Sequence, residues 1–369
     1  MTHRTSDNLH TLIIGGGQAG LAAGYHLTRA GVPFLIVDAN QRTGDAWRNR
    51  WDSLRLFTPN RYNSLPGMTI PGEDWGFPTK DELADYLESY AAHFELPIRH
   101  GVKIDRLGRE DGRFVATAGD TTFIAENVIV AMASYQEPKT PDFASELDAN
   151  IVQLHIDDYE NPGQLQDGGV LVVGLGNSGA EIAKELVQDR RVWLSGEPSA
   201  VQPFRPERLS GRILMPFVGT VILNRLLTTS TPMGRKARSK MLHRAMPLLR
   251  VKPKDLVAAG VQRVGRTTGV ADGYPQLEDG TVLDVANVVW CTGYGPGFSW
   301  IDLPIFDEAG DVIHNRGVLD AVPGLYFVSL KFQYSVLSDT LFAVGRDSGY
   351  VVNHLVGRKQ ESELSETVS

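Results

Sequence analysis

The chain has 369 residues, room for about two domains, and its 42% apolar and 22% charged content is that of a globular protein in water. A formal net charge of −8 argues against nucleic acid as a partner, because a duplex repels an acidic surface. The single cysteine, Cys291, excludes an internal disulfide, a CxxC redox pair and an all-cysteine zinc site, and no metal site is expected.

In chain order, MTHRTSDNLH is polar and lacks the pattern of a secretory leader, so the expected compartment is the cytoplasm. Residues 11–14 (TLII) form a short apolar run expected as a buried parallel strand. It leads into GGGQAG and a small-residue helix closed at Gly31, and PFLIVD follows as a second strand ending in Asp38. Such a β-α-β unit implies a parallel sheet with a right-handed crossover. TGDAWRNRWDSLRLFTPNRYNSLPG has no regular period, and its length marks a functional loop rather than a linker. A helix is expected from Thr79, with Asp81 and Glu82 in its first turn, and alternating strands at 113–118 and 121–131.

The pattern then restarts. GGVLVVGLGNSGAEIAKELVQD is a second strand–loop–helix, with RRVWLS as a further strand. NVVWCTGYG, GLYFVSL and a helix over about 339–356 complete a sheet without opening another nucleotide loop, which returns the chain to its first domain. The expected class is α/β, with two Rossmann-like dinucleotide-binding domains. The second, 166–288, is inserted between the two parts of the first, 1–165 and 289–369.

In the first loop, Gly15 allows the tight turn, Gly17 lets the backbone approach a pyrophosphate, and Gly20 lets helix pack on strand. Gln18 and Ala19 open the helix, whose unpaired N–H groups and positive dipole end face the phosphates. Asp38, eighteen residues after Gly20 and followed by Ala39, suits ribose hydroxyls. The second loop repeats these mechanics with Gly174, Gly176 and Gly179, while Asn177 and Ser178 open its helix. Two sites imply two cofactors, with hydride passing between them.

The nicotinamide is read at the end of the next strand, Ser195-Gly196-Glu197. Glu197 suits the free ribose diol of NADH and repels the 2′-phosphate of NADPH. Residues 205–254 nevertheless hold twelve lysines or arginines against one acid, Glu207, and Arg205 or Arg208 can supply the cation NADPH needs. The balance tilts towards NADH and leaves NADPH open.

At this point the arrangement resembles the class B flavin monooxygenases, which include bacterial flavin-containing monooxygenases and the plant auxin-forming enzymes. The resemblance spans nearly the whole chain through GGGQAGLA, GDAWRNRWDSLRLFTPNRYNSLPG, GLGNSGAE and WCTGYGPGFSW. It assigns FAD to the first loop and NADH or NADPH to the second. It implies a flavin C4a-hydroperoxide that passes one oxygen of O₂ to sulfur or nitrogen of a small substrate. Gly44-Asp45-Ala46-Trp47-Arg48 then lies beside the flavin, and Cys291-Thr292-Gly293-Tyr294 links the two domains, with Thr292 and Gly293 at the cofactor. The family's identifying stretch is half kept: His155 and Tyr159 are present, but its Phe and Gly places are Ala149 and Ile151. That departure keeps a second reading open, an NAD(P)H oxidase or electron-transfer reductase that oxygenates nothing. A dithiol reductase on the same plan needs a cysteine pair and is excluded.

Contacts to the reactive face of the flavin are expected from Leu56–Asn63, with Thr58 and Asn60 as the candidate catalytic hydrogen-bonding residues; the alternative is that both shape turns beside Pro59. Trp47 and Arg48 are placed against the flavin or its phosphates, with Trp51 there or in the core. Val102, at a strand start, bonds the adenine through its backbone or serves the sheet. A final helix beginning near Asp339 aims its N-terminus at the flavin's pyrimidine end. Residues 213–227 are apolar but shorter than the ~20 residues that span a bilayer, and a basic RKARSKMLHR follows. A packed helix with a solvated basic face is favoured there over membrane contact. A homodimer is the base-rate expectation.

Overall fold

The computed structural model describes residues 6–205, 208–242 and 244–368. The chain begins β1 (Ser6–Ile14), α1 (Gln18–Ala30), β2 (Phe34–Val37), then a short α2 (Asp45–Arg48) and α3 (Lys80–His93). Thr79 caps α3 with Glu82 in a reciprocal capping box, so the acidic first turn starts this helix as expected. β3 (Ile98–Arg99), β4 (Arg106–Glu110), β5 (Arg113–Ala118) and β6 (Thr121–Val130) complete the first half. β1 runs five residues further back than its apolar core, because polar Ser6–His10 lie along β6 in parallel register. Pairing, not hydrophobicity, sets its start.

After β7 (Glu137–Pro138) the chain leaves this sheet and builds a second one. The second sheet comprises β8 (Val152–His155), β9 (Val170–Val173), α4 (Asn177–Leu186) on its face, and β10 (Val192–Ser195). A crossover follows with α5 (Leu209–Pro216), a wide helical segment at Phe217–Leu226, α6 (Pro232–Met241) and α7 (Pro253–Ala259). It leads into β11 (Gln262–Val264), a hairpin of β12 (Thr267–Ala271) and β13 (Tyr274–Leu277), and β14 (Asn287–Trp290). The order β11-β10-β9-β14-β8 is parallel throughout. All four residues of β9, β10 and β14 are buried, the signature of strands covered on both faces.

β15 (Tyr294–Gly295) pairs antiparallel with β7, so the outgoing and returning connections run side by side. β16 (Leu325–Phe327) then rejoins the first sheet along Val128–Val130, where β5 has released the edge of β6, and α8 (Leu341–Val368) packs on α1. One boundary moves. β8 pairs with β14, and Ala144, Leu147 and Ile151 share a core with Leu171, Val288 and Trp290. The second unit therefore begins before β8 and not at residue 166. Its first strand is short and half-polar, and pairing with a distant partner is what makes it a strand.

Candidate dinucleotide sites

Both glycine loops are built alike. Gly15 (φ 108°) and Gly174 (φ 110°) occupy the left-handed region that side chains avoid. A Cβ on Gly20 would stand 1.9 Å from the Gly15 carbonyl oxygen, and one on Gly179 would stand 2.0 Å from that of Gly174. These glycines seat the helix against its own strand. Gly17 and Gly176, by contrast, have nothing within 4 Å of a notional Cβ, so the space over the middle glycine is open in both. Neither α1 nor α4 has a side-chain cap on its first turn. The leading N–H groups, from Gln18, Ala19 and Gly20 in one loop and from Asn177, Ser178 and Gly179 in the other, remain for an anionic ligand.

Asp38 closes the first cradle. One carboxylate oxygen accepts from Gly16 N–H at 2.5 Å, and the other from the backbone and side chain of Asn40 at 2.7 and 2.9 Å. Ala39 next to it is exposed. Trp47 donates Nε1–H to Gln18 Oε1 at 3.3 Å, so the aromatic loop reaches the mouth of α1. Arg48 is placed otherwise than its sequence suggested. Its guanidinium is shared among Asp45, Asp85 and Glu88 at 3.3, 2.9 and 3.0 Å, and it holds the loop onto α3 instead of meeting phosphate. Val102 is not in a strand; its N–H donates to Asp38 O at 2.8 Å, which leaves its carbonyl as the backbone group for adenine.

Within Leu56–Asn63, Thr58 donates to Asn63 Oδ1 at 2.5 Å, and Asn63 Nδ2 returns a bond to Thr58 O at 2.8 Å. Thr58 is thereby a turn-former, closed on its own loop. Asn60 differs: its Nδ2 donates to Glu73 O at 3.0 Å, but its Oδ1 is buried with no partner among the described residues. Tyr62 Oη and Trp51 Nε1 are buried and unpartnered in the same way, and so is Asp339 Oδ1. The ring of Tyr62 lies 5.2 Å from that of Phe342 in the first turn of α8, which joins this loop to the final helix. Buried polar atoms are nearly always satisfied, and the orphans of Asn60 and Tyr62 fall in one short turn, in the loop that meets α8. The final helix starts at Leu341, two residues after Asp339. Asp339 accepts from Tyr135 Oη at 2.5 Å, and burial pushes its carboxyl above the usual range. A cavity of about 220 Å³ beside it is lined by Met241, Pro247, Lys331, Phe332 and Val336.

At the second loop the side chains are engaged more than the sequence suggested. Ser195 is buried and bonded to Gly265 O at 2.9 Å and to Thr267 at 2.8 and 2.9 Å; it ties β10 to the next turn and presents nothing to a ribose. Asn177 spends its side-chain amide on Pro247 O and Leu249 N–H, both at 2.9 Å, leaving its backbone for phosphate. Glu197 is exposed and paired with Arg263 at 2.9 Å, so acid and cation stand together at the strand end. Arg205 is held by Asp255 through two bonds of 2.6 and 2.7 Å, and Arg208 is exposed.

The junction joins residues that sequence reading named to others, Arg50, Asp157 and Arg250, that it did not single out. Arg50 donates to Tyr294 Oη at 2.8 Å and pairs with Asp157 at 2.9 Å, and Tyr294 donates to the same carboxylate at 3.0 Å. These three bind the aromatic loop to both connections. Thr292 donates to Lys139 O, and Gly293 O accepts from Lys139 N–H at 3.0 Å and from His155 Nε2 at 3.2 Å. His155 Nδ1 accepts from Asp157 N–H at 3.1 Å, which fixes the proton on Nε2, and burial holds the ring below its usual pKa. Tyr159 is wholly buried and donates to Glu185 at 3.0 Å. Thr292 and Gly293 thus fasten one connection to the other and to His155 at the end of β8, while Tyr159 is tied to α4. Arg250 reaches from the crossover to Arg55 O at 3.1 Å and lies 3.8 Å from Glu181 on α4, whose carboxyl burial pushes up. Asp157 and Arg250 belong to no motif position, and only the fold brings them to Tyr294 and to the aromatic loop. Burial also pushes the Cys291 thiol up to about 12, so it is no nucleophile.

Comparison with known proteins agrees with this geometry. The profile of the pyridine nucleotide-disulphide oxidoreductase family matches residues 12–212. The CzcO-like oxidoreductase of Geobacillus kaustophilus is 41% identical over 94% of this chain and 97% of its own. The probable indole-3-pyruvate monooxygenase YUCCA3 of Arabidopsis thaliana is 28% identical, covering 81% of this chain and 76% of its own. The solved flavin-containing monooxygenase of Stenotrophomonas maltophilia superposes with a TM-score of 0.77 at 27% identity, over 95% of this chain and 99% of that one. Bacillithiol disulfide reductase of Staphylococcus aureus, at 14% identity and a TM-score of 0.69, shares the fold alone. The chain belongs to the pyridine nucleotide-disulphide oxidoreductase family, in its class B flavin monooxygenase branch.

Proposed function

We propose that the chain is an FAD-dependent monooxygenase that draws on NADH or NADPH and on O₂ to oxygenate nucleophilic sulfur or nitrogen in small substrates. The observation that carries the reading is the open surface over the first glycine cradle with its uncapped N–H groups, in a chain whose Trp51, Asn60, Tyr62 and Asp339 also carry buried polar atoms with no partner among the described residues. FAD fits this surface: Gln18–Gly20 take its pyrophosphate, Asp38 its ribose, and the orphaned oxygens and ring N–H its polar edges. The flavin, when bound, supplies the redox and oxygen chemistry.

The chain's own groups bind, orient and exclude water. Asn60 Oδ1 stands ready as an acceptor, with its amide locked by Glu73 O. The Arg50–Asp157–Tyr294 cluster and Arg250 keep the aromatic loop against the second unit, so that two cofactors meet at one face. A single cysteine leaves no dithiol to receive the electrons. Turnover with a simple aryl methyl sulfide tests the reading: close to one sulfoxide per NAD(P)H consumed is expected. The oxidase reading draws support from His155 and Tyr159, whose bonds go to the connections and to Glu185. It predicts one H₂O₂ per NAD(P)H and no sulfoxide.

A further inference from the structure

The crossover between β10 and β11 was expected to be a packed helix, and part of its apolar surface is left uncovered among the described residues. Leu209, Ile213 and Phe217 are 74%, 69% and 58% exposed. At 100° per residue their spacing of four places them within an arc of about 80° on one rod, and Leu214 and Leu226 are exposed beside them. The rod continues without a break, for Phe217 keeps helical dihedrals (φ −69°, ψ −51°) where α5 gives way to the wide turns ending in Leu227 N–H to Ile222 O at 2.8 Å. Its other flank is anchored: Thr229 N–H bonds Tyr334 O at 2.8 Å, and Arg346 bonds Asn224. The apolar stripe is therefore presented outward by a fixed element.

Charge identifies what covers it. From Arg208 to Lys254 the sequence has eleven lysines or arginines and no carboxylate, in a chain whose net charge is −8. Arg208, Arg212, Arg225, Arg235 and Lys236 are exposed, and none of them pairs with a carboxylate among the described residues. Exposed apolar side chains along a helix, with exposed cations nearby that no carboxylate among the described residues neutralises, are the pattern of an element lying in an anionic lipid surface. A second copy fits poorly, because two such faces would set like charges against each other. Nucleic acid would use the cations but leave the stripe in water. Among the described residues no helix is long and apolar enough to cross a membrane, so the contact is peripheral.

We infer that this face docks reversibly on anionic lipid, with Leu209, Ile213 and Phe217 entering the headgroup boundary and the neighbouring cations meeting lipid phosphates. The inference stands on the exposed rod and not on the oxygenation reading. The FAD-loaded full chain is sedimented with vesicles of phosphatidylcholine alone or mixed with phosphatidylglycerol. Sedimentation with the mixed vesicles only is expected, weakening as NaCl rises. Ile213→Glu with Phe217→Glu should lower the bound fraction at least tenfold, and Arg225→Gln with Lys236→Gln several-fold. FAD content, melting temperature and thioether-independent NAD(P)H oxidation in solution should be unchanged in both. No sedimentation of the wild type, or equal sedimentation of wild type and the glutamate variant, overturns the inference. So does a wild-type dimer that the glutamates dissociate without any vesicle binding, which assigns the face to a second copy.

Discussion

Alanine at Gly176 adds one methyl group where nothing lies within 4 Å, at a residue whose φ of −92° suits any side chain. Gly17 is the same, with φ −77°. Neither substitution has a clash to relieve, so melting temperatures should move by no more than about 2 °C. What each methyl takes is the space through which a pyrophosphate meets the first N–H groups of the helix. Losing one charge-assisted hydrogen bond costs about 1.5–3 kcal/mol, a weakening on the order of 10–100-fold in Kd. The two loops should respond separately. Gly176→Ala is expected to keep its FAD while Kd for the reduced nicotinamide, followed by fluorescence titration, rises on the order of 10–100-fold. Gly17→Ala is expected to be purified with little FAD. If Gly176→Ala shed FAD, or if each variant kept both affinities, the assignment of the loops would be refuted.

Three further outcomes follow from particular contacts. Glu197→Gln leaves Arg263 without its carboxylate, so kcat/KM with NADPH relative to NADH should rise about tenfold; an unchanged ratio would remove this pair from cofactor choice. His314 is held at about 4 by burial first and by Arg238 second, and its Nδ1 accepts from Gly317 N–H at 3.2 Å. Because this basic group is depressed in the folded state, its contribution is present above pH 6.5 and lost as pH falls towards 4. On the order of 2 kcal/mol should disappear across that window, and His314→Gln should flatten the corresponding fall in melting temperature. Tyr159→Phe should cost about 1 kcal/mol of stability with kcat within about twofold of wild type, since its hydroxyl serves Glu185; a hundredfold loss in kcat would return Tyr159 to the site.

The glycine loops were legible because their chemistry is local: turn, phosphate approach and helix start all fall within six residues, and Asp38 ends the next strand. α3 was legible for the same reason, with Thr79, Asp81 and Glu82 announcing its first turn. Elsewhere local pattern misled. Ser195 has the position of a ribose contact, yet Gly265 and Thr267, seventy or more residues away, claim its hydroxyl. Arg48 looks like a phosphate ligand until α3 brings Asp85 and Glu88 to it. The apolar run at 213–227 has the composition of a packed helix, yet the fold half-buries most of it and leaves Ile213, Leu214, Phe217 and Leu226 exposed. Whether a donor is free, or an apolar face covered, depends on partners distant in sequence.

Anaerobic titration of the purified, FAD-loaded chain with NADH, and in parallel with NADPH, bears most directly on the claim that two loops hold two cofactors in contact. Loss of the oxidised-flavin absorbance, complete at one equivalent of at least one of the two nucleotides per chain and slowed in Gly176→Ala at subsaturating nucleotide, is the result this account predicts. A chain that takes up no FAD, or whose flavin neither nucleotide bleaches, would contradict it.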